Sequence, residues 1–200
     1  TLFRSYPGEN ILFGDRLYSY SDRTVAAFMD RGYTALHVPL ELNEKELSHR
    51  HNAGGIMDIY GRTPVMIMAN CPAKRFYGCD RDGVARDHHG DRDRHGEPGR
   101  YGKKPYTRID LIDETGAAFP VVNHCASCTN YVYNSLPMSL LSDSDSVMAL
   151  HPEKLLMSFV FETAGEVRSL LDIYEKNYLH GGDTTPDIKT TRLHFRRGVL

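Results

Sequence analysis

Apolar and polar positions fall in blocks along this chain, and the blocks repeat a strand-then-helix order. Residues 11–20, ILFGDRLYSY, are rich in apolar and aromatic side chains and predict a strand. The next stretch, SDRTVAAFMDRG, predicts a helix. Ser21 or Asp22 would cap it, because their side-chain oxygens can accept a first-turn amide, and Gly32 would end it. The order then repeats. YTALHVPLEL predicts a strand, NEKELSHRHNAGG a short helix capped by Asn43 and closed by Gly54 and Gly55, and IMDIYGRTPVMIMA a further strand.

Between residues 80 and 106 the pattern breaks. DRDGVARDHHGDRDRHGEPGRYGKKPY is dominated by Asp, Arg, His and Gly and has almost no aliphatic side chain with which to offset its ordering entropy, so it predicts a mobile surface insertion. TRIDLIDETGAAFPVV then gives two apolar runs around Glu114, Thr115 and Gly116, the signature of a β-hairpin. LLMSFVFE predicts a buried strand, and TAGEVRSLLDIYEKNYL a helix with Val167, Leu170, Leu171 and Tyr174 on its apolar face.

Strands alternating with helices at this spacing argue for βα units and a parallel sheet, open or closed into a barrel. A complete barrel needs about 250 residues, more than the 200 present. The expected fold is therefore α/β: a partial TIM-like (β/α) barrel with an appended cysteine-bearing β-hairpin module. Its expected divisions are 1–79 for the later βα units, 80–106 for the charged insertion, and 107–200 for the hairpin and cysteine module with a closing strand, helix and tail.

Composition narrows the function classes only a little. With 40% apolar and 25% charged residues the chain has the balance of an ordinary globular protein. No apolar run approaches the roughly 20 residues of a membrane-spanning helix. A net charge of −2 gives no global attraction to nucleic acid, though a local basic patch remains open. No signal-peptide pattern precedes the four cysteines, which points to a reducing, cytoplasmic setting in which thiols serve metal binding or redox chemistry. The first residue is Thr1 and the pattern opens midway, so a longer parent chain with a further amino-terminal half is expected.

Those four cysteines are the most specific chemical signal. Cys71 and Cys79 lie in NCPAKRFYGC, while Cys125 and Cys128 form CASC. A C-x2-C turn spaces two sulfurs as a tetrahedral thiolate site requires, and a second pair completes four ligands for zinc or for an iron-sulfur cluster. Two other readings stay open: a thioredoxin-type redox pair, and unligated buried thiols. His88, His89 and His95 in the insertion offer alternative ligands or simply belong to a solvated run. His124 is read as a neighbour of the site.

Four segments in order carry a family resemblance: LYSYSDRTVAAFMDRGYTALHVPLELNEKEL, YGRTPVMIMANCPAK, LIDETGAAFPVVNHCASCTNYVYNSLPMSLL and TRLHFRRGV. They resemble successive motifs of the U32 peptidase family, the collagenase-like proteases, over nearly everything from residue 11 onward except the insertion. The similarity is to the carboxyl-terminal part of the catalytic region. It implies a catalytic or ligand carboxylate at Glu41, for which a helix-entry carboxylate is the competing reading. It implies an anion clamp at Arg62, against which stands a structural ion pair. His194, with Arg192, Arg196 and Arg197 as substrate-binding side chains, falls in the terminal H-F-x-R-G-like motif, against which stands a solvated basic tail.

The resemblance also sets the functional expectations. The first is a peptidase acting on collagen-like or other protein substrates, although no Ser-His-Asp or H-E-x-x-H pattern supplies a recognised mechanism. Relatives in the family also hydroxylate RNA nucleosides or a quinone precursor in cluster-dependent reactions. This second reading uses Cys71, Cys79, Cys125 and Cys128 as ligands of a [4Fe-4S] cluster, with RNA as a partner. The third is non-catalytic: zinc on the same four thiolates pins the hairpin module.

Overall fold

The computed structural model describes residues 17, 19–32, 36–77 and 108–198. The expected strand at 11–20 lies almost entirely outside them. So do the insertion at 80–106, its three histidines, Cys79, and the divisions drawn at 79 and 107. The chain forms two compact units, one built from residues up to Arg62 and from Leu136 onward, the other from Thr63–Ser135.

The first unit opens with α1 (Asp22–Met29), where Ser21 Oγ accepts from the Thr24 amide at 3.3 Å and the chain turns out through Gly32 at φ +79°. α2 (Glu44–Ser48) begins with a reciprocal cap: Asn43 Oδ1 accepts from Glu46 N, and Glu46 Oε2 accepts from Asn43 N. The helix ends well before the glycines. Asn52 Nδ2 and Arg50 N both donate to the Leu47 carbonyl, closing the last turn early. Leu47 is buried, as an inward position on so short a helix must be to hold it in place.

The expected long strand IMDIYGRTPVMIMA is instead two strands. β1 (Ile56–Gly61) belongs to the first unit and β2 (Pro64–Met68) to the second. Gly61 marks the break: a Cβ there would stand 3.0 Å from Ser158 Cβ and 3.1 Å from the Ser158 carbonyl. β1 is central in a three-stranded sheet, antiparallel to β6 (Met138–Ser139) and parallel to β7 (Lys154–Met157). The expected strand around residue 37 contributes one parallel bridge, His37 to Ile56. Among the described residues the strands thus form a mixed α/β arrangement of two open sheets, with no closed barrel.

α4 (Ser144–Met148) and α5 (Ala164–Tyr174) complete the first unit, the latter capped by Thr163 and Glu166 in a second reciprocal pair. Leu170 is buried, but Leu171, expected on the same face, is exposed. The helix continues as a π-helical turn, Glu175–Leu179, and the buried face runs through Tyr174 to Asn177 and Tyr178. Asn177 Nδ2 donates to the Leu141 and Thr184 carbonyls, each at 2.7 Å, and its Oδ1 accepts from Thr184 N. The core packs Val38, Leu47, Met57, Ile59, Leu140, Val147, Leu170 and Phe195 around β1. Each such side chain contributes about 1.5–3 kcal/mol by leaving water.

The second unit is a four-stranded sheet in the order β2, β5 (Thr129–Tyr133), β4 (Ala118–His124), β3 (Arg108–Ile112). Adjacent strands are antiparallel. The expected hairpin is β3 and β4. Asp113 Oδ1 sets its turn by accepting from Thr115 N, Thr115 Oγ1 and Ala117 N at 2.7–2.8 Å, and Gly116 supplies φ +85°. A short helix, α3 (Pro72–Tyr77), follows β2.

Candidate functional site

Strand register brings three cysteines to one end of the four-stranded sheet. The end of β2 pairs with the start of β5, Met68 with Asn130, and the end of β4 pairs with the same residues, Asn123 with Asn130 and His124 with Thr129. Cys71 comes three residues beyond Met68, and Cys125 and Cys128 occupy the turn joining β4 to β5. Cys71 is half-buried while Cys125 and Cys128 are exposed, and all three are free thiols. Cys128 turns the chain at φ +51°, a left-handed conformation that non-glycine residues seldom adopt.

Hydrogen bonding ties this end together. The Cys71 sulfur accepts from the Lys74 amide at 3.4 Å, and its thiol donates to Asn123 Oδ1 at 3.6 Å. Cys125 Sγ lies 3.9 Å from the Asn123 carbonyl, and Cys128 Sγ 3.9 Å from that of Cys125. His124 packs edge-on against Tyr131, with ring centroids 5.1 Å apart. The donor chemistry fits a soft ion or a cluster. The sulfurs are not closed into a shell, since no group of three or more His, Cys, Asp or Glu among the described residues is arranged to hold a metal ion.

In the first unit, a second set of residues follows the carboxyl ends of the parallel segments. Glu41 lies half-buried in the turn from the His37 segment into α2. Arg62 follows β1, its guanidinium 5.7 Å from the centre of the Phe161 ring. Beyond β7, Glu162 accepts from the Tyr60 hydroxyl at 2.9 Å, and its other oxygen takes the Val160 and Phe161 amides. Burial first, then the Glu162 carboxylate, push the Tyr60 hydroxyl far above its ordinary range, so it remains a donor. Tyr60 and Glu162 were not evident as site residues from sequence. The available signal was a carboxylate just beyond an apolar strand.

The terminal motif is built into the fold. Phe195 is buried, and its carbonyl accepts from Glu44 N, the first amide of α2, at 2.7 Å. Arg192 Nε donates to Asp143 Oδ2 at 2.6 Å and Arg196 Nη2 to Asp143 Oδ1 at 2.5 Å, while Arg196 also pairs with Glu44. The Asp143 side chain is only 2% exposed, against 52% and 47% for the two arginines. His194 Nδ1 lies 3.0 Å from the Gly198 carbonyl. Of the three arginines expected to meet substrate, two are therefore held by a buried carboxylate, and Arg197 is exposed. Asp143 escaped the sequence reading because it looks like a helix cap. It occupies the N-cap position of α4 but makes no capping bond, its oxygens being turned to the arginines.

One more pair was not legible. His37 Nδ1 lies 3.0 Å from Asp58 Oδ2, with both side chains mostly shielded. No described helix is long and apolar enough to cross a membrane. Comparison with protein-family models, with curated proteins and with solved structures finds no match for this chain.

Proposed function

We propose that this chain is the carboxyl-terminal part of a U32-type peptidase catalytic region, acting on protein substrates, with its parallel segments as the later βα units of a TIM-like barrel. The observation that carries this reading is the docking of two motifs far apart in sequence. ELNEKEL and TRLHFRRGV meet through Glu44 N and the Phe195 carbonyl, through the Arg196–Glu44 pair, and around Asp143. In this reading Glu41 and Arg62, both beyond the carboxyl ends of parallel segments, face the substrate, the position where such folds place their chemistry. Glu162 positions the strand end beside Arg62 through Tyr60.

The thiol end of the second unit favours a second reading, an iron-sulfur-dependent hydroxylase acting on RNA nucleosides or a quinone precursor. Cys71, Cys125 and Cys128 share one sheet end, and Cys79 would complete the set. A cluster on these residues would supply one-electron transfer, for which peptide hydrolysis has no use. Zinc on the same thiolates would make the centre structural.

The test joins two measurements on protein purified without oxygen. Casein or gelatin cleavage by the parent chain, abolished by Glu41→Gln with folding retained, supports the peptidase. Loss of a modified RNA nucleoside on gene deletion, together with stoichiometric iron and sulfide and no proteolysis, replaces it by the hydroxylase. Stoichiometric zinc without iron removes the cluster from either account.

A further inference from the structure

The β4–β5 ladder runs in regular antiparallel register: Val121 to Val132, Val122 to Tyr131, the buried Asn123 to the buried Asn130, and His124 to Thr129. The next step of that register sets Cys125 opposite Cys128, across the four-residue turn that joins the strands. Ser127 N closes the turn on the His124 carbonyl at 3.1 Å, and Cys128 completes it at φ +51°. Residues directly opposite in such a ladder have Cα atoms about 4.5–5.5 Å apart, and the ends of a tight turn lie within about 7 Å. A disulfide bridges Cα separations of roughly 4.4–6.8 Å. The C-x2-C spacing in this setting therefore fits a covalent link between the two sulfurs. Both cysteines are exposed, whereas Cys71 is half-buried.

We propose that Cys125 and Cys128 form a reversible dithiol–disulfide couple that clips the β4–β5 turn and exchanges with small disulfides of the glutathione class. The couple goes beyond the functions proposed above and needs no metal. The thiolate of one cysteine attacks the external disulfide, breaking its S–S bond and releasing one thiolate, which takes up the proton the cysteine gave to solvent. The second cysteine then loses its proton, attacks the mixed disulfide and releases the other thiolate, which is protonated in turn. Two cysteine thiols are thus oxidised to one disulfide, and the external disulfide is reduced to two thiols. Cys71 stays outside the exchange. Its thiol donates to Asn123 Oδ1 at 3.6 Å, and a sulfur that keeps its proton is a poor nucleophile. The couple also differs from the C-x2-C pairs of strong thiol oxidants. Those sit at a helix start, which stabilises the thiolate and with it the reduced form, while Cys125 and Cys128 sit in a turn between strands. The equilibrium is set here by how well the fold holds the two sulfurs together.

The experiment equilibrates the full chain in buffers of varied ratio of reduced to oxidised glutathione, quenches in acid, and reads disulfides and mixed disulfides by peptide mass spectrometry. Cys125–Cys128 is expected as the major intramolecular disulfide. Its equilibrium constant should be about tenfold or more higher in native buffer than in urea, because the strand register brings the pair together only in the folded chain. By linkage, a tenfold rise stabilises the oxidised second unit by about 1.4 kcal/mol, read as a raised urea midpoint. Cys71→Ser should leave the constant unchanged, and Cys125→Ser should abolish the couple and trap a mixed disulfide on Cys128. A constant no higher in native buffer than in urea overturns the proposal. So does a chain that accumulates stable mixed disulfides on both cysteines, or one whose major disulfide contains Cys71. Stoichiometric zinc or iron in the purified chain that Cys125→Ser releases also overturns it, since the thiols would then belong to the metal.

Discussion

Asp143 should be the most sensitive single position of the first unit. Its carboxylate is almost wholly removed from water and takes one hydrogen bond from each of two guanidinium groups. Hydrogen bonds to charged groups are worth about 1.5–3 kcal/mol each. Both arginines are about half exposed and regain water when released, which offsets part of that loss. Asp143→Ala is therefore expected to cost about 2–3 kcal/mol, or roughly 5–10 °C in melting temperature for a chain of this size. The arginines then repel each other without a carboxylate between them, and the Phe195 segment loosens from α2. Thermal melting gives the total, and hydrogen exchange at the Glu44 amide reports the loosening locally. A double-mutant cycle with Arg192→Ala isolates the coupling. A cost within about 0.5 kcal/mol of zero, or no coupling to Arg192, would refute the reasoning.

Three further outcomes follow from the same geometry. Gly61→Ala should destabilise by about 1–3 kcal/mol, because the added methyl meets the Ser158 backbone; an unchanged urea midpoint would show that β1 and the Ser158 turn separate freely. Thr163→Ala should cost about 1 kcal/mol by removing the cap on Glu166 N, seen as faster exchange in the first turn of α5 and contradicted by unchanged protection there. The third outcome concerns acid. Bonds from the Thr115 side chain and from Ala117 hold the Asp113 carboxyl below its ordinary range, so its folded value lies beneath its unfolded one. The turn's contribution is then complete above the ordinary aspartate range near pH 4 and is lost as pH falls through the lower folded value. Thr115 and Ala117 amide resonances should shift together below about pH 4 and stop doing so in Asp113→Asn; shifts that persist in that variant would assign the titration elsewhere.

Local signals were legible where a single residue decides the outcome. Ser21, Asn43 and Gly116 do what their chemistry implies, because caps and tight turns are satisfied within a few residues. Errors arose where distant segments decide. The apolar run after Ile56 reads as one strand, yet β2 is an edge strand with Val65, Met66 and Ile67 exposed, and periodicity cannot tell a buried run from an exposed one. Leu171 is exposed beside the buried Leu170, and the buried side of the helix runs on to Asn177, whose amide donates to the Leu141 and Thr184 carbonyls. The cysteine spacing predicts a shared site, and the structure brings Cys71, Cys125 and Cys128 to one end of the sheet without arranging them as a group that could hold a metal ion. The buried amides and the Asp143 carboxylate around the candidate residues did not announce themselves, since a lone Asn or Asp in sequence looks like a turn or a cap.

The way the second unit is inserted has a consequence for how the first one folds. β1 ends at Gly61 and β6 starts at Met138, and these two residues are directly paired, so the first unit must bring together chain ends separated by the whole of 63–135. Closing that span as a random loop costs about 2–3 kcal/mol more than closing a link of a few residues. The second unit removes the cost when folded, because its own ends are bonded: Asn134 N donates to the Thr63 carbonyl at 3.0 Å. Replacing residues 64–134 by a short Gly-Ser link should therefore leave the first unit's melting temperature within a few degrees of the parent, whereas breaking the second unit's sheet by Val132→Asp should lower it as the long loop reappears. Val132 is buried in the second unit and pairs with Val121, so a charge there cannot be accommodated. A first unit that survives Val132→Asp unchanged but collapses on excision would reverse the argument, making the second unit a source of direct support and its bonded ends incidental.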